Sequence, residues 1–285
     1  MLDLPEQKTM RADNPAQQDW MAGYRIMEQP YFRPVDDEVN LFEAAHRLRL
    51  PVLLKGPTGC GKTRFVEHMA WRLGLPLVQI ACNEDTSASD LLGRFLLNRD
   101  GTYWVDGPLT LAVRHGAICY LDEFVEARQD ATVVIHPLTD ERRMLLLDRK
   151  GEAVQAAADF QLVISYNPGY QSELKRLKPS TRQRFVALEF DYPPAADEAA
   201  VVAAEGGVDP ALAAQLVDIA HRSRQLKGSG LEEGLSTRML IRAARLIGAG
   251  LPPLAACRLA LSAPVCDDPE IGTALQNFVQ AHFGA

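Results

Sequence analysis

Residues Val52–Gly74 read VLLKGPTGCGKTRFVEHMAWRLG, and this stretch decides the fold. A short strand-like run, Val52–Lys55, feeds a glycine turn. After it, apolar residues recur with helical spacing at Phe65, Val66, Met69, Ala70 and Leu73, and Gly74 is a natural C-terminal stop. The turn itself, Gly56-Pro57-Thr58-Gly59-Cys60-Gly61-Lys62-Thr63, fits G-x-x-x-x-G-K-[ST] without departure. Gly59 and Gly61 permit dihedrals that turn successive N–H groups inward as an anion cradle. The helix that follows, opening at Arg64, adds positive partial charge at its N-terminus. Lys62 is placed to reach β- and γ-phosphates and the Thr63 hydroxyl to sit on Mg²⁺. Gly56 through Arg64 are therefore the candidate cofactor-binding residues. The alternative is a strand–helix turn with incidental glycines, which the strand-before, helix-after context disfavours.

A phosphate cradle needs a metal partner and a group that activates water. AICYLDEF supplies both at the end of an apolar strand: Asp122, with Thr63, as candidate Mg²⁺ ligand and Glu123 as the residue that polarises the attacking water. Read alone, the two acids could merely end a strand and start a helix. No N-K-x-D motif is present, which argues against a GTPase. A small-molecule kinase would use the cradle but gives no reason for the acid pair or the long helical tail.

Working outward, strand-like runs recur at Leu77–Ala81, Ala117–Leu121, Phe160–Ser165 and Phe185–Phe190, with helical patterns between several of them. That alternation predicts an α/β fold with a parallel sheet and helices on both faces. RFLLNRDGTYWVDGPL and ERRMLLLDRKGEAVQA break the rhythm and read as hairpins, at about 95–108 and 141–156. Pro193-Pro194 marks a linker, and from Ala195 to Phe283 the chain is Ala/Leu-rich with helical periodicity, predicting four or five helices. The domains expected are an unassigned segment 1–30, an α/β domain 31–193 and a helical domain 194–285.

Composition sets outer bounds. The 285 residues are 47% hydrophobic and 24% charged, so a sizeable core is available. A net charge of -7 argues against a nonspecific polyanion binder. Cys60, Cys82, Cys119, Cys257 and Cys266 show no C-x-x-C spacing and read as reduced thiols. Residues 1–30 are polar without a signal-peptide core, and no run of 18 apolar residues exists, so a soluble, cytoplasmic protein is expected.

With SYNP closing the fourth strand, STRQRF before the fifth and LSTRMLIRAARL in the tail, residues 31–285 resemble the AAA+ ATPases of the MoxR branch. CNEDTSASDLLGRF, GYQSELKRLKPSTRQRF and EGLSTRMLIRAARLI look most like the CbbQ/NirQ/NorQ group, and within it the CbbQ side. The resemblance implies a P-loop core with strand order 5-1-4-3-2, an all-helical lid, ATP and Mg²⁺ as cofactors, and a homo-oligomeric, hexameric ring. It implies a chaperone role: release of inhibitory sugar phosphates from Rubisco, with an adaptor bearing a von Willebrand factor A domain (CbbO-like). The alternative within the group is activation of, or metal insertion into, nitric oxide reductase. A DNA-directed AAA+ motor would share the ATP site but should bring a basic tail or DNA-reading motif, and none is evident. An ATP-gated adaptor is a third possibility. Neither a membrane nor a nucleic-acid partner is expected.

The same resemblance makes Asn167 a sensor of the γ-phosphate, Arg184 an arginine finger with Arg182 beside it, and Arg238 a lid arginine. Each has a plainer reading. Asn167 could be an Asn-Pro turn residue, Arg184 a surface ion-pair member and Arg238 an ordinary helix-surface residue. Arg182 and Arg184 share a side if both lie on an extended approach to the fifth strand. Tyr103 and Trp104 either grip a chain in a central pore or pack on their own domain. Arg142, Arg143, Arg149 and Lys150 either serve the second hairpin's function or form its solvated edge. The stretch WMAGYRIMEQPYF is expected to lie against the sheet near the adenine site.

Overall fold

The computed structural model describes residues 21–99, 101–168, 177–225, 233–265 and 269–284. Outside them fall most of the unassigned N-terminal segment, Asp100 of the first Asp-Gly turn, residues 169–176 of the GYQSELKR stretch, the KGSG punctuation at 227–230, and Cys266.

Helix α1 (Glu38–Arg47) leads into β1 (Val52–Lys55), the glycine turn and α2 (Lys62–Leu73). Then follow β2 (Leu77–Ala81), α3 (Ala88–Leu92), β3 (Gly93–Asn98), β4 (Gly101–Asp106), α4 (Pro108–His115) and β5 (Ile118–Asp122). After α5 (Gln129–Val134) come β6 (Met144–Leu147), β7 (Glu152–Gln155), β8 (Gln161–Tyr166), α6 (Pro179–Arg182) and β9 (Val186–Glu189). The helical remainder comprises α7 (Ala195–Gly206), α8 (Pro210–Gln225), α9 (Thr237–Gly248), α10 (Pro253–Cys257) and α11 (Pro269–Phe283).

The five long-predicted strands form one sheet in the order β2-β5-β8-β1-β9, all neighbours parallel. Counting only those five, this is 5-1-4-3-2, the expected order. Because side chains alternate along a strand, each central strand feeds two cores. Val52, Leu54, Ile118, Tyr120 and Val163 pack with Phe42, Phe65 and Met69 on one face. Leu53, Cys119, Leu121, Leu162 and Ile164 pack with Leu91, Leu109 and Phe124 on the other. Both faces being covered explains why these runs are continuously apolar rather than alternating. A separate apolar core of Val202, Leu216, Ile219, Leu240, Leu261 and Val279 holds the helical remainder together.

Both expected hairpins form, β3 with β4 and β6 with β7. The second is rooted in the main core through Leu145, Leu147 and Val154. The first projects, leaving Leu97 81% and Tyr103 45% exposed. Trp104 resolves the open question about the aromatic pair for itself. It packs edge-on to Phe95, donates Nε1–H to Asp106 at 2.6 Å and lies against its own core, while Tyr103 is left outward. Arg114 of α4 ties the two hairpins, reaching Asp106 at 2.8 Å and Glu152 at 2.7 Å.

Candidate functional site

The glycine turn sits where the fold needs its backbone close to neighbours. A side chain on Gly56 would overlap Phe190 O, and Gly59, at φ 72°, leaves no room for a Cβ because Ser236 would stand 2.7 Å from it. Lys62 opens α2, and its Nζ donates to Gly56 O at 2.7 Å and Pro57 O at 2.8 Å, folding the start of the loop back onto a helix N-terminus. Thr58 is fixed from both ends: its hydroxyl accepts from Asn167 Nδ2 at 3.0 Å and its carbonyl from Tyr192 OH at 3.0 Å. Cys60 is buried beside Lys62, and burial pushes its thiol pKa up. Arg64 contributes to the first helical turn, while its guanidinium is held by Glu67 at 3.1 Å and Glu205 at 3.4 Å.

Across the sheet, β5 ends on Asp122. Its Oδ1 accepts from Tyr120 OH at 2.7 Å and from Ser165 Oγ at 2.5 Å, leaving Oδ2 3.4 Å from the Thr63 hydroxyl. Burial and the adjacent carboxylate push the Tyr120 phenol far up, so it remains a hydrogen-bond donor. Glu123 takes a left-handed conformation, φ 53°, with its N–H donating to Ser165 Oγ at 3.0 Å. For a non-glycine residue that backbone is uncommon, and such strain concentrates at functional sites. A hydroxyl and a carboxylate oxygen converging beside a phosphate cradle suit Mg²⁺, a hard cation that keeps several waters and takes phosphate oxygens rather than an all-protein cage. No group of three or more His, Cys, Asp or Glu side chains among the described residues is arranged to hold a metal.

A cleft of about 560 Å³ unites these parts. Its floor holds Gly59 through Arg64, Asp122, Glu123, Ser165 and Asn167, and its roof is α9, with Arg238, Arg242 and Arg245. Tyr31, Phe32 and Arg33 line it as well. The segment leading to them does run along the sheet: Tyr24 O accepts from Leu77 N at 2.8 Å, and Phe32 packs on Phe65. The structure thus brings together the glycine turn, both acids, Asn167 and Arg238. It does not bring Arg182 or Arg184 into the cleft. Arg182 closes the short helix α6 and Arg184 lies in the turn after it, so the extended backbone on which they would share a side is absent. Both are exposed; Arg184 lies near Asp140 and His136, and with burial its charge lowers the His136 pKa. Of the hairpin cations, Arg142 pairs with Asp140 at 2.6 Å, Lys150 with Glu152 at 2.7 Å, and Arg143 turns inward to donate to Phe160 O at 2.7 Å.

Sequence reasoning missed several members. Ser165 and Tyr120 looked like strand filler, although a polar group inside an otherwise apolar run was the available signal. Glu233, whose Oε1 accepts from Asn167 Nδ2 at 2.8 Å, carried no signal, because that contact crosses between the α/β half and the helices. The same holds for Glu198. It is fully buried, bonded to Arg224 at 2.7 and 2.8 Å and to the Thr237 hydroxyl at 2.6 Å, and Arg224 in turn stacks 3.7 Å over the Tyr192 ring.

Residues 51–185 match the family described as AAA domain (dynein-related subfamily), and residues 198–282 match CbbQ/NirQ/NorQ C-terminal. Protein CbbQ of Hydrogenophilus thermoluteolus is 61% identical over 260 residues, covering 91% of this chain and 97% of that relative. Denitrification regulatory protein NirQ of Pseudomonas aeruginosa is 59% identical over 253 residues, covering 89% of this chain and 97% of the relative. Among solved structures, a RuvB mutant from Thermotoga maritima superposes with a TM-score of 0.54 at 17% identity, over 89% of this chain and 73% of that one, a likeness of fold alone.

Proposed function

The chain belongs to the CbbQ/NirQ/NorQ family of AAA+ ATPases and uses ATP with Mg²⁺, and from that premise we propose that it is the motor of a protein-remodelling ring. In this reading residues 31–193 are the nucleotide-binding domain, 194–285 the lid, and the ring is a cytoplasmic hexamer. Bound Mg²⁺, held by Thr63 and Asp122, would neutralise charge on the phosphates. Lys62 and the loop N–H groups orient the β- and γ-phosphates, Glu123 polarises the attacking water, and Asn167 and Arg238 contact the γ-phosphate. The observation that carries the ring is the position of Arg182 and Arg184. Both are exposed and outside the cleft, so either reaches a γ-phosphate only at a junction with another copy. Projecting Tyr103 and Leu97 then give the first hairpin a surface with which to grip a client.

The client we assign is Rubisco blocked by a tight-binding sugar phosphate, with a von Willebrand factor A protein as adaptor; the greater identity to CbbQ supports it. The near-equal identity to NirQ favours one second reading, activation of a nitric oxide reductase. A negative net charge supports a protein client over DNA. The test is ATP turnover of purified protein with and without the adaptor and inhibited Rubisco. Stimulation by that combination, absent in Glu123→Gln, is expected. Stimulation by the reductase with its own adaptor, and none by Rubisco, would transfer the assignment to the second reading.

A further inference from the structure

The helix α9 is strongly two-sided. Leu240, Ala243 and Ala244 face the helical core, while Arg238, Ile241, Arg242 and Arg245 line the cleft. Three of those four are cations, and their circumstances differ. Arg245 is neutralised by Glu205 at 3.2 Å, and Glu205 also holds Arg64 of α2 at 3.4 Å. Arg242 has no hydrogen bond or ion pair to any described residue, as Arg238 has none. Arg242 is exposed and lines the cleft beside the phosphate cradle, so its charge is available to a ligand bound there.

Two contacts of α9 bracket Arg242. At the N-terminal end, a Cβ built on Gly59 would stand 3.3 Å from Arg238 Cβ. At the other, Arg245 meets Arg64 through their shared Glu205. The helix therefore runs above the loop from Gly59 toward Arg64. Arg242, about 6 Å along from Arg238 at 1.5 Å per residue, falls between those two contacts and lines the same cleft as Gly61–Thr63. Backbone N–H groups at that point of a P-loop hold the α- and β-phosphates.

We infer that Arg242 is a second phosphate-binding residue of the lid, contacting the α/β-phosphate pair that ATP and ADP share. It would keep the lid engaged after hydrolysis, when the γ-phosphate available to Arg238 is gone. The inference rests on nucleotide binding alone, not on the ring or the client.

The test is equilibrium binding of fluorescent ADP and ATP to the full-length protein, for wild type, Arg242→Ala, Arg242→Lys and Lys62→Ala. Arg242→Ala is expected to weaken ADP and ATP by the same factor, about 10-fold, the usual worth of one charge-assisted contact. Arg242→Lys should recover part of the loss, and the loss should shrink as salt rises. Unchanged ADP affinity in Arg242→Ala overturns the inference, as does a loss confined to ATP, which would place the group at the γ-phosphate. So does a salt-independent loss that lysine does not relieve, which would mark a packing role. Should Lys62→Ala bind as tightly as wild type, it is the cradle assignment that fails; if only Lys62→Ala loses binding, the cradle stands and Arg242 is dismissed.

Discussion

Ser165 Oγ donates to Asp122 Oδ1 at 2.5 Å and accepts from the Glu123 N–H at 3.0 Å, so one hydroxyl on β8 fixes both acids at the end of β5. Removing it leaves the Asp122 Oδ1 with the Tyr120 hydroxyl alone and frees the Glu123 backbone to leave its left-handed conformation. Ser165→Ala should lower kcat about 10- to 100-fold, corresponding to the ~1.5–3 kcal/mol of a hydrogen bond to a charged group. ATP affinity, set mainly by the loop, should change less than about threefold. Steady-state turnover and nucleotide titration on the same protein separate the two effects. A variant that turns over at the wild-type rate would mean that Glu123 is held by other means.

Arg184 and Arg182 are distinguishable by experiment because neither touches the cleft of its own chain. Arg184→Ala should reduce turnover by about 10³-fold or more while nucleotide binding survives, the behaviour of a finger supplied in trans. Mixing it with Glu123→Gln should restore part of the activity, since junctions then form with one intact set of groups. Arg182→Ala should have the smaller effect. If Arg184→Ala and wild type turn over equally, the shared-site reading is lost.

Stability should decline as pH falls from about 6.5 because two histidines are held neutral. Burial depresses the His136 pKa from its ordinary 6.5, with Arg184 and Lys178 adding to the effect. Burial also leads at His46, where Arg143 lowers the pKa further and Asp159 and Glu43 oppose it. Since the unfolded chain takes up the proton first, the contribution is whole above pH 6.5 and is lost as pH drops through the depressed folded values. His136→Asn loses the 3.1 Å contact with the buried Thr181 hydroxyl at every pH, but should flatten the decline between pH 8 and lower pH, as read by denaturant midpoints at both pH values. An unchanged slope in His136→Asn combined with His46→Asn would rule these groups out.

What the sequence made legible follows from what is local. The glycine turn, the acid pair and both hairpins are written in residues adjacent along the chain, and both hairpins form where the Asp-Gly and Asp-Arg-Lys-Gly turns stand. Sheet order is not local. It came from resemblance to known proteins, since alternation of strands and helices specifies a parallel sheet but not which strand lies beside which. Tyr120 and Ser165 were hidden because their partner, Asp122, is on the same strand in one case and 43 positions away in the other. Glu233 and Arg242 were hidden more deeply, since their meaning depends on how the helical part folds back over the loop. Trp104 shows the limit of composition: beside a turn it looks like an exposed anchor, yet its indole N–H finds Asp106 two residues on and its ring lies against the core.

Glu198 tests whether the helical part is held to the loop by a buried ionic joint. Its carboxylate is fully buried and accepts from both terminal nitrogens of Arg224 and from Thr237, the residue before Arg238. Arg224 covers the Tyr192 ring, whose hydroxyl holds Thr58 O in the glycine turn. Deleting one partner of such a pair leaves the charge of the other largely buried and uncompensated, so Glu198→Ala should cost about 3–5 kcal/mol in denaturant unfolding. The pair itself need not be worth that much. Replacing both residues with apolar ones of similar volume, Glu198→Leu with Arg224→Met, should recover most of the loss. Nucleotide affinity should then diverge from stability: the double variant regains its fold but leaves Tyr192 without its cation and Thr237 without its acceptor, so ATP binding stays weak. Recovery of both together would reduce the joint to a stabilising element; recovery of stability alone would make it the link by which the helical part registers the state of the loop.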